Sequence, residues 1–393
     1  MACRFQISYD NFIRWEKIYG DLTIQELQSQ GLPVQCNPAD LTPPTNLTAV
    51  VEGVNIRLNW NDNEFQEANF DIYRSTSSGF TPSASNLIAT TVANITTYLD
   101  QSVIANVTYY YVVQAVNGDL ASAYSNEANA IVPICDITNA SYIDSFNLTN
   151  SGSGQTGVRF ANSGLKMYVT GNGSTSEDRV SEYTLTTGYD ISTASFVHHF
   201  QVAFQASNPT GVDFNSDGSK MYVCGSNTDS VFEYDLSTNY DISTAVYNSV
   251  SLDASTQVSS AQDCVFNNDG SILYILDSGT DTVYAYGLTT NYDLSTASYS
   301  NDSFSVTSQE SGPLGLSFTS SGSIMLIVGV TNYIHEYSLS TPYDITTSVY
   351  NDEFDISSET VTVNGIDVNP NYDKVIIVGN DATKRVYEYS VSC

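Results

Sequence analysis

Side-chain catalysis in this chain would have to start from three histidines, six cysteines and a surplus of carboxylates, 43 Asp plus Glu against 12 Lys plus Arg in 393 residues. Zinc chemistry needs three convergent ligands. His198 and His199 are adjacent in the β-rich run "SFVHHF", so they leave opposite faces of a strand, and His335 is remote in sequence. No cysteine spacing supplies a zinc pattern. The chain contains no G-x-S-x-G elbow, no phosphate-binding loop and no Cys–His pairing. Glycoside hydrolysis remains, because it needs only two suitably spaced carboxyl groups. Most acids here recur at a fixed interval, however. Asp136, Asp190, Asp241, Asp293 and Asp344 each open a "D-I/L-S/T" segment at spacings of 54, 51, 52 and 51 residues. Glu182, Glu233, Glu336 and Glu388 each precede a recurring tyrosine. Acids that return unit after unit serve the unit. A glycosidase would place its acids where the recurrence breaks, and Asp213 and Asp263 are the two exceptions. The expectation is no catalytic residue, no metal and no cofactor.

The elements that position these residues are equally periodic. "FANSGLKMYVTG" (160–171) returns as "FNSDGSKMYVCG" (214–225), "FNNDGSILYILD" (266–277), "FTSSGSIMLIVG" (318–329) and "VNPNYDKVIIVG" (368–379). Within the second unit, "GVDF", "KMYVCG", "SVFEYDL" and "VYNSVSL" are short runs rich in β-branched and aromatic residues, separated by turn sequences such as Asp217-Gly218. Four strands in about fifty residues is the size of a propeller blade. The last unit stops at "VYEYSVSC" without a fourth strand, while "CDITNASYIDSFNL" (135–148) is a fourth strand without its first three. Together they complete one unit, so residues 134–393 read as a five-bladed β-propeller whose last blade uses both ends. In that alignment Cys393 falls where Thr238 sits and Cys135 where Tyr240 sits, close enough for a disulfide to staple the ring. The alternative is two thiols near a seam. Cys224 and Cys264 fall in strands and read as small core residues, and Cys3 with Cys36 would brace the N-terminal segment.

A binding surface is the better candidate for function. Asp178, Asp229, Asp281, Asn332 and Lys384 occupy equivalent loops between second and third strands, on the face shared with the loops that link consecutive units. Such a ring of polar side chains can hydrogen-bond a sugar, or simply keep the loops solvated. The first of these loops, "GNGSTSEDRV", is three residues longer and makes Ser176 to Arg179 a second place to look.

Residues 42–133 read as a separate sandwich of about seven short strands, bounded by Pro43, Pro44 and Pro133. Residues 1–41 match neither pattern. Thr23 and Glu26 form a capping box, with Gly31 and Pro33 ending a helix near 24–30. Phe5, Tyr9, Phe12, Ile13, Trp15 and Tyr19 give this segment an apolar face, either a cap on the sandwich or a docking arm for another protein.

The formal net charge of -31 comes from scarce cations, and it repels nucleic acid and anionic membranes. No apolar run approaches membrane-spanning length. "MACRFQISYD" carries no secretory signal, which points to a protein made in a host cytoplasm.

The order of Trp60 in "IRLNW", then "FDIYRS", "YLDQSV", "TYYYVVQAVN" and "YSNEANAI", resembles a fibronectin type III domain, in which Tyr109 would be the corner tyrosine. The units typified by "NSDGSKMYVCGSNTDSVFEYDLST" (215–238) resemble surface-layer and YVTN-type propeller repeats, and also repeats of structural proteins in tailed bacteriophages. That resemblance implies a non-enzymatic virion protein, a capsid decoration, head fibre or tail adhesin. It would dock on other virion proteins through residues 1–41 and present the propeller to host or environmental glycans. The alternatives are a secreted cellular lectin or adhesin and, behind it, a propeller glycosidase.

Overall fold

The computed structural model describes residues 5–9, 12–16, 41–52, 55–64, 67–104, 107–133, 135–148, 151–152, 154–173, 178–359, 362–379 and 384–392. The chain is all-β. Among the described residues, helix is limited to 3₁₀ turns of three residues. The chain divides into two compact units, Met1–Val132 and Pro133–Cys393.

In the first unit, strands Phe5–Tyr9 and Phe12–Glu16 pair antiparallel. The expected helix at 24–30 and Tyr19 lie outside the described residues, as do the side chains of Phe5, Tyr9, Phe12, Ile13 and Trp15. Strands Thr45–Glu52, Asn55–Asn61 and Thr97–Asp100 form one sheet. Asn69–Ser75, Leu87–Val92, Thr108–Asn117, Leu120–Tyr124 and Ala128–Ile131 form a second. Their inward residues, among them Leu58, Trp60, Phe70, Tyr111 and Val113, make a single core. Tyr109 receives the Ile104 backbone N–H on its hydroxyl at 3.1 Å, five residues upstream. Buried Asp100 accepts from Arg74 at 2.8 Å and from the Tyr111 hydroxyl at 2.9 Å, so this carboxylate is fully partnered.

The second unit contains five four-stranded antiparallel sheets, here I to V, each a simple meander except the last. Their first strands are Gly154–Ala161, Pro209–Phe214, Ala261–Phe266, Pro313–Phe318 and Val363–Val368. Sheet V takes its fourth strand, Ala140–Asn147, from the start of the unit and pairs it with Arg385–Val391 at the end. First and second strands are buried along nearly their whole length, whereas fourth strands alternate buried and exposed positions, as in Ala194–Gln201.

First strands touch in cyclic order, I to II to III to IV to V and back to I. Glycine sits at the closest approaches. A Cβ on Gly365 would lie 2.7 Å from the Gly157 Cα, and one on Gly315 would lie 2.7 Å from the Gly365 Cα. Sheet III carries Asp263 at this position.

Turn chemistry repeats with the strands. Asp190, Asp241, Asp293 and Asp344 cap the 3₁₀ turns that follow them, each accepting the backbone N–H two residues on. Gly218 adopts φ +72°, and the Tyr240 ring occupies the space a side chain would need. Sheet V exchanges these roles. The position of Gly218 is held by Tyr372, fully buried at φ +53°, and the position of Tyr240 by Cys135. One aromatic ring is kept, supplied from the other side of the contact.

Candidate functional site

The two acids that break the recurrence lie at the innermost strands, beside a buried arginine. Arg159 on the first strand of sheet I donates to Asp367 Oδ1 at 3.0 Å and to the Val212 carbonyl at 3.3 Å. Its guanidinium also lies 3.7 Å from Asp213 and 3.8 Å from Asp263. One cation therefore faces three carboxyls in a low-dielectric setting. Burial works against the Arg159 charge, but the three carboxylates outweigh it and raise its pKa. Burial pushes Asp213 up, and it pushes Asp263 up to about 7, with Arg159 opposing in each case.

These carboxyls are already committed to backbone. Asp213 accepts the N–H of Phe214 at 2.9 Å and that of Phe266, in the next sheet, at 2.7 Å. Asp263 likewise accepts from Cys264 at 2.8 Å and from Leu316, in the next sheet, at 3.0 Å. Asp367 accepts from Val368 at 2.9 Å and from Phe160 at 2.6 Å. Each is a cross-link between neighbouring sheets. An acid–base pair for sugar hydrolysis needs an oxygen that can reach substrate, and these point into the seams.

The recurring glutamates do the same further out. Glu182, Glu233, Glu336 and Glu388 accept the N–H that opens the next sheet's 3₁₀ turn, from Ile242, Leu294, Ile137 and Ile191 respectively, at 3.1 to 3.3 Å. Lys166, Lys220 and Lys374 pair with three of them. His198 and His199 lie on the fourth strand of sheet I, and His335 is buried in sheet IV against Thr331 and Glu310. Among the described residues no group of three His, Cys, Asp or Glu is placed to hold a metal ion.

The five expected loop residues share one backbone task. The carbonyls of Asp178, Asp229, Asp281, Asn332 and Lys384 accept the N–H groups of Val202, Ala254, Val306, Ile356 and Leu148, at 2.8 to 3.1 Å. The last four adopt φ between +45° and +60°, a region that Asp and Asn tolerate better than most residues. Their side chains are partly engaged inward: Asp229 accepts from Ala261 N–H, Asp281 from Thr307, and Lys384 donates to the Gly152 carbonyl at 2.6 Å. Residues 174–177, including Ser176, lie outside the described residues.

The same face carries features that the recurrence concealed. Asn172 donates to Asn208 at 2.6 Å and Asn208 donates to Ser226, while Gln262 bridges Ser260 and Ser278 at 2.9 Å each. This is an arc of amides and hydroxyls across sheets I to III. In the loop after the fourth strand of sheet I, which also supplies Asn208, Phe204 is 90% exposed. The matching positions in later units are Thr256, Ser308 and Ser358, so the aromatic is peculiar to this loop. A unit-by-unit comparison would have exposed it.

Cys135 is buried and disulfide-bonded. Its expected partner Cys393 lies outside the described residues. Cys224 and Cys264 are free and buried.

No family model matches the chain, and no curated protein matches it. Among solved structures, residues of this chain are similar to an Fn3-like protein from Clostridium thermocellum, 34% identical over 24% of this chain and 94% of that one, TM-score 0.20. A candidate 6-phosphogluconolactonase from Bacteroides uniformis is 12% identical over 84% and 80%, TM-score 0.40. Pectate lyase Pel3 from Pectobacterium carotovorum is 25% identical over 23% and 27%, TM-score 0.19.

Proposed function

We propose that this chain is a non-enzymatic display protein, in which a fibronectin type III-like sandwich carries a five-bladed β-propeller whose loop face recognises glycan. The observation that carries the reading is the commitment of the carboxyls. Asp213 and Asp263 each accept backbone N–H groups of two sheets, one on each oxygen, and so act as cross-links between sheets. Cyclic contact between the five first strands, and the two-ended sheet V, support the propeller. The hydrogen bond from Ile104 to the Tyr109 hydroxyl supports the type III sandwich.

Glycan recognition follows from what the loop face offers. Phe204 presents an open aromatic face for the C–H surface of a pyranose, and the amide arc supplies donors and acceptors for hydroxyls. The proposed setting is the surface of a bacteriophage particle, with residues 1–41 docked on capsid or tail proteins. The resemblance of the repeats to phage structural proteins supports that setting. One observation favours the second reading, a secreted lectin: the disulfide at Cys135 suits an oxidising compartment.

Screening the full chain on a glycan array tests the recognition claim. We expect capture of a defined glycan class, lost in Phe204→Ala with an unchanged circular dichroism spectrum, and no release of cleaved sugar. Hydrolysis that disappears in Asp213→Asn would overturn the reading in favour of a glycosidase.

A further inference from the structure

Four of the five seams between neighbouring sheets are filled alike. A glutamate crosses to the next sheet's turn, and in three of those seams a lysine lies alongside it: Lys166 with Glu182, Lys220 with Glu233, Lys374 with Glu388. In the fourth, Glu336 has the Tyr372 hydroxyl as its partner. At the remaining seam, between sheets III and IV, the lysine position holds Ile272 and the glutamate position holds Ala285. Both long side chains are missing from this one place. A cavity of about 160 Å³ stands there, with Ile272, Ala285, Pro342 and Ile345 as its apolar wall and Asp302 and Asp344 at its edge.

We propose that this cavity binds an alkylammonium group, the chemistry of a lysine side chain. The cavity lies where a seam lysine would run and lacks both that lysine and its glutamate, while Asp302 and Asp344 remain in its lining. Methylene groups can pack along Ile272, Ala285 and Pro342, as the stem of an amphipathic cation does on any apolar surface. The head then meets the carboxylates of Asp302 and Asp344, and no lysine or arginine lines the cavity to compete for them. The seam between sheets V and I shows where a head group goes. There Lys374 Nζ donates to the Tyr189 carbonyl at 3.1 Å; the corresponding Tyr343 carbonyl already accepts the Tyr274 hydroxyl, so at this cavity the two carboxylates are the partners left for a head group. Room exists at the mouth as well, since a Cβ on Gly287 would meet no atom within 4 Å. A net charge of -31 gathers cations around the molecule. An anionic ligand, by contrast, would face two carboxylates.

Saturation-transfer NMR on the full chain tests this with n-butylammonium, Nα-acetyl-lysine amide, n-butanol and butyrate as probes. Both amines should bind, the neutral and anionic probes should not, and ~0.5 M salt should weaken amine binding several-fold. The tighter of the two amines distinguishes a free small amine from a lysine presented by another protein. The double variant Ile272→Lys/Ala285→Glu, which rebuilds the missing pair in place, should weaken amine binding at least tenfold. Asp302→Asn, at an exposed position, should weaken it several-fold while leaving the circular dichroism spectrum unchanged. Equal response to butanol and butylammonium, no response to either amine, or undiminished binding by both variants would overturn the proposal.

Discussion

At the scale of single residues, the decisive group is Asp263. It replaces the glycine that other first strands carry at the tightest approach, and it places a third carboxyl near one guanidinium. Three buried negative charges against one positive charge cannot all be stable, so a proton is retained, with Asp263 titrating near 7 rather than in the usual carboxylate range. The sign of the consequence follows. The folded chain holds this proton where the unfolded chain has lost it, so the contribution to stability is complete below about pH 4 and is lost as pH rises through 7. Urea midpoints of wild type should therefore fall more steeply between pH 5 and pH 8 than those of Asp263→Asn. Parallel profiles would show that the group does not titrate in this window. Nothing in the local sequence announces this cluster, because Arg159, Asp213, Asp263 and Asp367 are separated by 54, 50 and 104 residues and each looks like a minor departure from a repeat.

At the scale of elements, the seams are where the repeat does its structural work. The strands, the turn pairs and the Asp caps were legible in the sequence because each is a local matter: alternation of burial, a glycine with positive φ, a carboxylate two residues before its N–H donor. The destination of Glu233 was not legible, since it crosses to Leu294 in the next sheet. Nor was the exchange by which Tyr372 and Cys135 take the places of a glycine and a tyrosine, which needs both ends of the unit in one sheet. Replacing Glu233 with Ala strands the Leu294 N–H in a buried seam and leaves Lys220 with Asp235 alone, and should cost about 1–3 kcal/mol in chemical denaturation. A neutral result would mean that water replaces the carboxylate without loss. Among the candidate site residues, the five loop positions were found by spacing alone. Their backbone role emerged only from the hydrogen bonds to Val202, Ala254, Val306, Ile356 and Leu148.

At the scale of the whole molecule, the five sheets of the second unit depend on one junction between non-adjacent chain segments. Ala140–Asn147 and Arg385–Val391 are joined by strand pairing, and Cys135 lies where the intact sheets continue through an unbroken peptide chain. We propose that its partner is Cys393, which would restore covalent continuity across the gap. Non-reducing peptide mapping should recover the Cys135 and Cys393 peptides linked. Cys135→Ser should lower stability by about 2–5 kcal/mol, whereas a variant as stable as wild type would show that strand pairing alone holds the ends. The proposed arrangement is a propeller displayed on a particle by an N-terminal dock. Cryo-electron microscopy of virus particles that contain the chain tests it most directly. A disc of five radial sheets is expected at the outer end of the density, with residues 1–41 buried against capsid or tail. Particles that lack this density, or that bury the loop face instead, would contradict it.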